Sequence, residues 1–189
     1  MEQFAEQIEE NKSGNITVQY LADGGMSDLL VKQIKTTTKG DSINIATFML
    51  SNGNIINQLL KASKRGVSIK IILDQNIESF GDKKNGLPNK QVSKTLIENS
   101  DGKIQIKWYE TNGEQFHTKL TIIQQGNTTT IFTGSSNLSP KEIFNYNLES
   151  DVKVIANNNT KISKDVINYF TRIWSNENGT YTSNYENHN

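Results

Sequence analysis

Residues 42–73 read SINIATFMLSNGNIINQLLKASKRGVSIKIIL. Ile43, Ile45 and Phe48 mark a buried strand over Ser42–Leu50. Residues 53–65 have the spacing of an amphipathic helix, and Gly66 closes it. Val67–Leu73 is rich in β-branched residues and predicts a second strand. A strand, a helix and a strand in so short a span imply a crossover. Such units feed parallel strands and are right-handed.

The alternation extends on both sides. Upstream, Ile16–Leu21 predicts a strand and Asp23-Gly24-Gly25 a break. Ser27 can cap a helix running to Thr38, with Leu29, Leu30 and Ile34 on one face. Downstream, 74–88 is the longest irregular stretch and leaves the carboxyl end of a central strand, where open α/β sheets place ligands. Pro88 suits the first turn of a helix over 89–99. Strands follow at Ile104–Glu110, Gln115–Ile123, Thr128–Thr133 and Leu148–Ile155. Gln124–Asn127 turns the hairpin, and Ser139-Pro140 opens a short helical piece. Ile162, Val166, Ile167, Phe170 and Trp174 define a last helix over 161–174. The expected fold class is α/β: a mixed, mainly parallel sheet between helix layers. One domain over 16–175 is expected, between a polar segment at 1–15 and a polar, disordered tail at 176–189.

Composition narrows the function. The 189 residues suffice for one domain with a real core. Twenty basic residues balance twenty acidic ones, so no overall basic excess draws the chain to nucleic acid. The absence of cysteine excludes disulfides and thiolate metal sites, and the two histidines leave no zinc site. No run approaches the ~20 apolar residues of a membrane span. The acidic start has no signal-peptide character, so a cytoplasmic or membrane-peripheral protein is expected, or a secreted one if the chain is a fragment of a longer precursor. Asp74-Gln75-Asn76-Ile77-Glu78 mimics the start of a calcium loop, but Ser79 and Asn85 occupy the positions of its glycine and final glutamate. Phosphate-loop and dinucleotide fingerprints are missing, and Gly134-Ser135-Ser136-Asn137 is not a nucleophile elbow.

The chemistry concentrates after residue 115. His117 and Lys119 lie two apart on an expected strand and so share a face with Thr121. An ammonium beside a neutral imidazole suits attack on a phosphodiester: the imidazole attacks phosphorus and lysine neutralises the non-bridging oxygens. Hairpin pairing brings the Gly134-Ser135-Ser136-Asn137 turn to the start of the His117 strand. There Ser135, Ser136 and Asn137 can donate to phosphate oxygens, with Gly134 permitting close backbone approach. Glu149, on the next expected strand, can accept the imidazole Nδ1–H and leave Nε2 free for the substrate. Each signal alone is an ordinary strand face or polar turn. Their conjunction in one order points to phosphodiester chemistry.

His117-Thr118-Lys119, the GSSN turn and Asn147-Leu148-Glu149 resemble the signature of the phospholipase D superfamily. Tyr169–Trp174 resembles the helix that closes such domains, and the GLPN run in 80–89 resembles a loop of the bacterial subgroup. The resemblance spans about Ile16 to Trp174. It implies the phospholipase D-like fold and a covalent phosphohistidine at His117. It also implies that Lys119, Ser135 and Asn137 hold the phosphoryl oxygens, that Glu149 orients His117, and that no metal or other cofactor is needed. The chain departs from the HxKxxxxD pattern, since Gln124 stands at the aspartate position. The mechanism needs two imidazoles, and His188 lies in the tail. The second must come from a homodimer partner or from another half of a longer protein. Phospholipid is the first expected substrate. A metal-independent dimeric endonuclease is the alternative, as is an impaired half that binds phosphate or supports a partner.

Overall fold

The alternating residues Ile69, Ile71 and Leu73 fall on β4 (Ser68–Asp74). This strand pairs in parallel with β3 (Ser42–Thr47) on one side and β7 (Ile104–Tyr109) on the other. Helix α2 (Gly53–Lys64) makes the first crossover and α3 (Asn89–Asn99) the second. The Asn52 side chain caps α2 by accepting the amides of Asn54 and Ile55. Gly66, at φ +87°, turns the chain back into β4, a conformation open to glycine at little cost. The computed structural model describes residues 8–22, 25–76, 78–79, 82–83, 85–111, 113–140 and 149–188.

The remaining strands are β1 (Ile8–Ser13), β2 (Ile16–Ala22), β8 (Lys119–Gln125), β9 (Thr128–Gly134), β10 (Ser150–Asn157) and β11 (Thr182–Asn184). They complete a sheet of order β1-β2-β10-β9-β8-β3-β4-β7-β11. A separate ribbon of β5 (Glu78–Ser79) and β6 (Asp82–Lys83) lies in the stretch read as irregular. The expected mixed sheet is present, but its balance is corrected. Only β3–β4 and β4–β7 are parallel; the other neighbours are antiparallel. Following the pairings, β2 does run in the direction of β3, as a strand–helix–strand unit requires. The β8–β9–β10 meander inserts between them and supplies antiparallel neighbours to both.

Helices cover both faces. On one, α1 (Gly25–Thr36), α2 and α3 bury Leu30, Ile34, Leu59 and Leu96 against Ile43, Ile45, Ile71 and Ile104. On the other, α4 (Lys161–Ser175) packs Phe170 and Ile173 against Ile72, Ile122 and Ile131. Helix α1 starts at Gly25, so Ser27 sits within its first turn and does not cap it. The expected strand at 115 begins only at Lys119, and Gln124 and Gln125 belong to it, leaving a two-residue turn. The helical piece expected after Pro140 lies outside the described residues.

Both ends of the chain are also corrected. Residues 8–13, read as part of a polar N-terminal segment outside the domain, pair with β2 as an edge strand. The tail read as disordered adds β11 to the edge at β7 and ends in a short 3₁₀ turn, Tyr185–His188. Asn176 makes this possible. In the left-handed region at φ 57°, its side chain accepts the Tyr181 and Thr182 amides and donates to the Thr182 carbonyl. Composition registers polarity; it does not register a side chain that satisfies three backbone groups, or two tyrosines, Tyr181 and Tyr185, that pack against the core.

The end of the sheet where β3 and β4 finish is fastened by Asn89, which is wholly buried. Its Nδ2 donates to the carbonyls of Phe48 (2.8 Å) and Asp74 (2.9 Å), and its Oδ1 accepts the Leu50 amide (3.0 Å). Asn89→Leu would strand the Leu50 amide and the Asp74 carbonyl at ~1–3 kcal/mol each, while the Phe48 carbonyl keeps its bond from Asn76. A stability loss of about 3 kcal/mol or more is expected in urea denaturation. A loss below about 1 kcal/mol would show that this clamp is not needed.

Candidate active site

Every candidate segment meets at that same end of the sheet. Lys119 opens β8 opposite Thr47, the last residue of β3. Gly134 closes β9 opposite Asp151, the second residue of β10. The antiparallel meander therefore carries the His117 segment, the GSSN turn and Glu149 to one corner. The segment after Asn137 is hooked onto the start of α2, because Leu138 donates its amide to Met49 and accepts those of Ser51 and Asn52.

His117 lies just before β8, exposed, with its ring 5.2 Å from that of Phe48. Partial burial and then the Lys119 charge hold its pKa below the usual 6.5, while Asp74 pulls it back up. The imidazole is therefore biased toward its neutral, nucleophilic form at neutral pH. Lys119 is 7% exposed; its Nζ donates to the His117 carbonyl (3.1 Å) and lies 5.5 Å from the centre of the Phe48 ring. Burial lowers its pKa, and the charge of Glu149 raises it. Glu149, half-buried directly ahead of β10, thus acts electrostatically on Lys119 and also on Asp151.

The serine–asparagine corner is tightly built. The Ser135 hydroxyl accepts the Ser150 amide (2.9 Å) and donates to its carbonyl (3.3 Å). Ser136 donates its amide to Asp151 Oδ1 (3.1 Å) and its hydroxyl to Asp151 Oδ2. Both hydroxyl protons are thereby engaged inside the protein, so Ser135 and Ser136 are poorer candidates for phosphate than the sequence suggests, Ser136 more so because its acceptor is a carboxylate. Asn137 is half-buried, and its Oδ1 has no hydrogen-bond partner among the described residues. Burial pushes the Asp151 carboxyl up, and Ser136 pulls it back.

Gln124 lies at the far end of β8. Five residues at a strand rise of ~3.3 Å put it about 17 Å along the strand from Lys119. There its Oε1 accepts the Ser42 hydroxyl (3.3 Å) across the β3–β8 pair. Sequence reading missed Asp74 and Asp151, the two buried carboxylates that hold this corner's backbone. Asp74 ends the strongest strand in the sequence, which was the available signal. Asp151 had none, being one more polar residue in a strand register. A hollow of about 420 Å³ opens beside His117, walled by Tyr109, Phe116, Tyr169, Arg172 and Tyr181. Among the described residues no helix is long and apolar enough to cross a membrane.

Known proteins sharpen this picture. The family profile of the cardiolipin synthase, PLD-like domain matches residues 30–174. No curated protein matches the chain. Among solved structures, Nuc, a phospholipase D family member of Salmonella typhimurium, is 22% identical; the match covers 85% of this chain and 95% of Nuc, with a TM-score of 0.60. NucT from Helicobacter pylori is 18% identical over 85% of this chain and 96% of its own, at 0.61. Phosphatidylserine synthase of Haemophilus influenzae matches 91% of this chain at 14% identity and 0.62, though only 41% of that protein is covered. These structures share the fold, and the profile spans most of the chain. On that span, with His117, Lys119 and the serine–asparagine corner at one end of the sheet, the chain belongs to the phospholipase D-like domain family.

Proposed function

We propose that the protein is a phosphodiesterase in which His117 attacks phosphorus and a second His117, from another copy of the chain, supplies the proton. The observation that carries this reading is the convergence of His117, Lys119, Ser135, Asn137 and Glu149 on one end of the sheet. The His117 Nε2 forms a bond to phosphorus as the bond to the leaving alcohol breaks. The second imidazole, protonated, gives its proton to that alcohol. Now neutral, it takes a proton from water, and the resulting hydroxide attacks phosphorus. The P–N bond breaks, releasing a phosphomonoester and restoring both imidazoles. Lys119 and the amide of Asn137 balance charge on the non-bridging oxygens, and Glu149 keeps negative charge beside the lysine. Gln124, distant along β8 and engaged with Ser42, is read as a replacement that serves the sheet, which argues against an impaired half.

Phospholipid is the favoured substrate, in keeping with the family's cardiolipin synthase description and the balanced charge. A nucleic-acid strand is the second reading. The aromatic walls and Arg172 of the hollow beside His117 favour it, since such surfaces stack bases and meet phosphate. Phosphatidic acid release from liposomes, set against degradation of single- and double-stranded DNA in chelator, decides between them. Sharing of the site is tested by mixing subunits. Equal amounts of wild type and His117→Ala, unfolded and refolded together, should retain about one quarter of the turnover, because only wild-type pairs hold two imidazoles. Retention of one half would mean that each chain works alone.

A further inference from the structure

Asp74 is 2% exposed, yet its carboxylate faces the active-site corner from the end of β4. Its Oδ2 accepts the amide of Phe116, the residue before His117, at 2.6 Å. Its Oδ1 accepts the Asn76 amide (2.7 Å) and side chain (3.2 Å), and Asn76 in turn donates to the Phe48 carbonyl (3.3 Å). Phe48 carries the ring that lies against both His117 and Lys119. One carboxylate therefore ties together the backbone on which the imidazole rides and the strand end against which it packs. We infer that Asp74 is a positioning residue for His117, holding the Phe116–His117 backbone through a buried carboxylate at the end of β4.

This rests on His117 being the reacting imidazole, and it gives that residue something the twin-histidine scheme needs. Two identical imidazoles must divide the work, one neutral and one protonated. Burial and Lys119 both favour the neutral form; the Asp74 charge opposes them. Other charged or titratable groups around the ring are Glu149 ahead of β10, Glu114 in the preceding loop, Arg172 and Tyr169 on α4, Tyr109 on β7 and Tyr181 before β11. Among those acting directly on the imidazole charge, Asp74 is the one that favours its protonation. Removing it should make the protonated twin scarcer at a given pH. Activity should then peak at lower pH, as His117 loses its proton earlier.

The test is an NMR titration of the full chain carrying His188→Gln, so that His117 is the one imidazole present. Asp74→Asn should lower the proton affinity of His117 by about threefold or more, half a pKa unit on the usual scale, and move the turnover optimum the same way. It should lower kcat with KM nearly unchanged. An unshifted His117 titration in a folded variant would overturn the inference. Should Asp74→Asn fail to fold, hydrogen exchange in the unsubstituted protein decides. The Phe116 amide must be protected to the level of the β8 amides, and exchange at loop rates would overturn the proposal. If instead His117→Ala keeps its activity, the reading of His117 as nucleophile falls, while the titration result stands by itself.

Discussion

His117→Ala is expected to lower turnover of a chromogenic phosphodiester on the order of 10⁴-fold or more, the scale at which loss of a nucleophile is felt. Stability should barely move, because the His117 side chain is exposed and leaves its ring neighbour, the half-buried Phe48, still packed against Lys119. Substitutions at such positions generally stay within about 0.5 kcal/mol. The pairing of a large kinetic effect with an unchanged melting curve distinguishes a reacting group from a structural one. Activity within tenfold of wild type would remove His117 from the chemistry.

Gly134→Ala should be the more damaging change to structure. A Cβ there would meet Asp151 Oδ1 at 2.2 Å, the Ser150 carbonyl at 2.5 Å and Asp151 Cα at 2.6 Å. Two of these are backbone atoms of the paired strand, and the third is a carboxylate held by Ser136. None can retreat without opening the β9–β10 pair at the corner itself. Overpacking of this kind costs about 1–3 kcal/mol, visible as a lower urea midpoint. Displacement of Ser135 and Asn137 by even ~1 Å should cost roughly 10²-fold in turnover. An alanine variant with wild-type midpoint and turnover would mean that the corner is neither tight nor used.

How far the fold was legible depends on what each segment asks of its neighbours. Val67–Leu73 declares itself, because a β-branched run between Gly66 and a polar loop has few other fates. The helices at 53–64, 89–99 and 161–175 are equally plain, since each carries its own apolar stripe. The balance of parallel and antiparallel pairing was not visible. It depends on where the β8–β9–β10 meander inserts, and no residue in β2 or β3 records that neighbour. The polar ends were misjudged for a related reason: β1 and β11 join the sheet through backbone pairing, and β11 is further held by the Asn176 side chain and by Tyr185 stacked on Trp108, contacts that composition does not record.

In the candidate site, His117, Lys119 and the turn at Ser135–Asn137 stood out by their order along the chain, since each alone is an ordinary strand face or turn. Their support did not. Asp74 and Asp151 look like any strand-end carboxylate until the fold shows which amides they accept. The Ser136 hydroxyl, expected at the substrate, is instead turned to Asp151.

Transient bonding of the His117 imidazole to phosphorus is the step on which the proposed mechanism depends. It is tested most directly by mixing the protein with a chromogenic phosphodiester, quenching within the first turnover in alkali-stable conditions, and mapping peptides by mass. A phosphoryl adduct that retains the substrate's second ester group is expected on the peptide that contains His117, absent from His117→Ala and from protein left to complete its turnover. Rapid turnover with no adduct on that peptide at any quench time would contradict it.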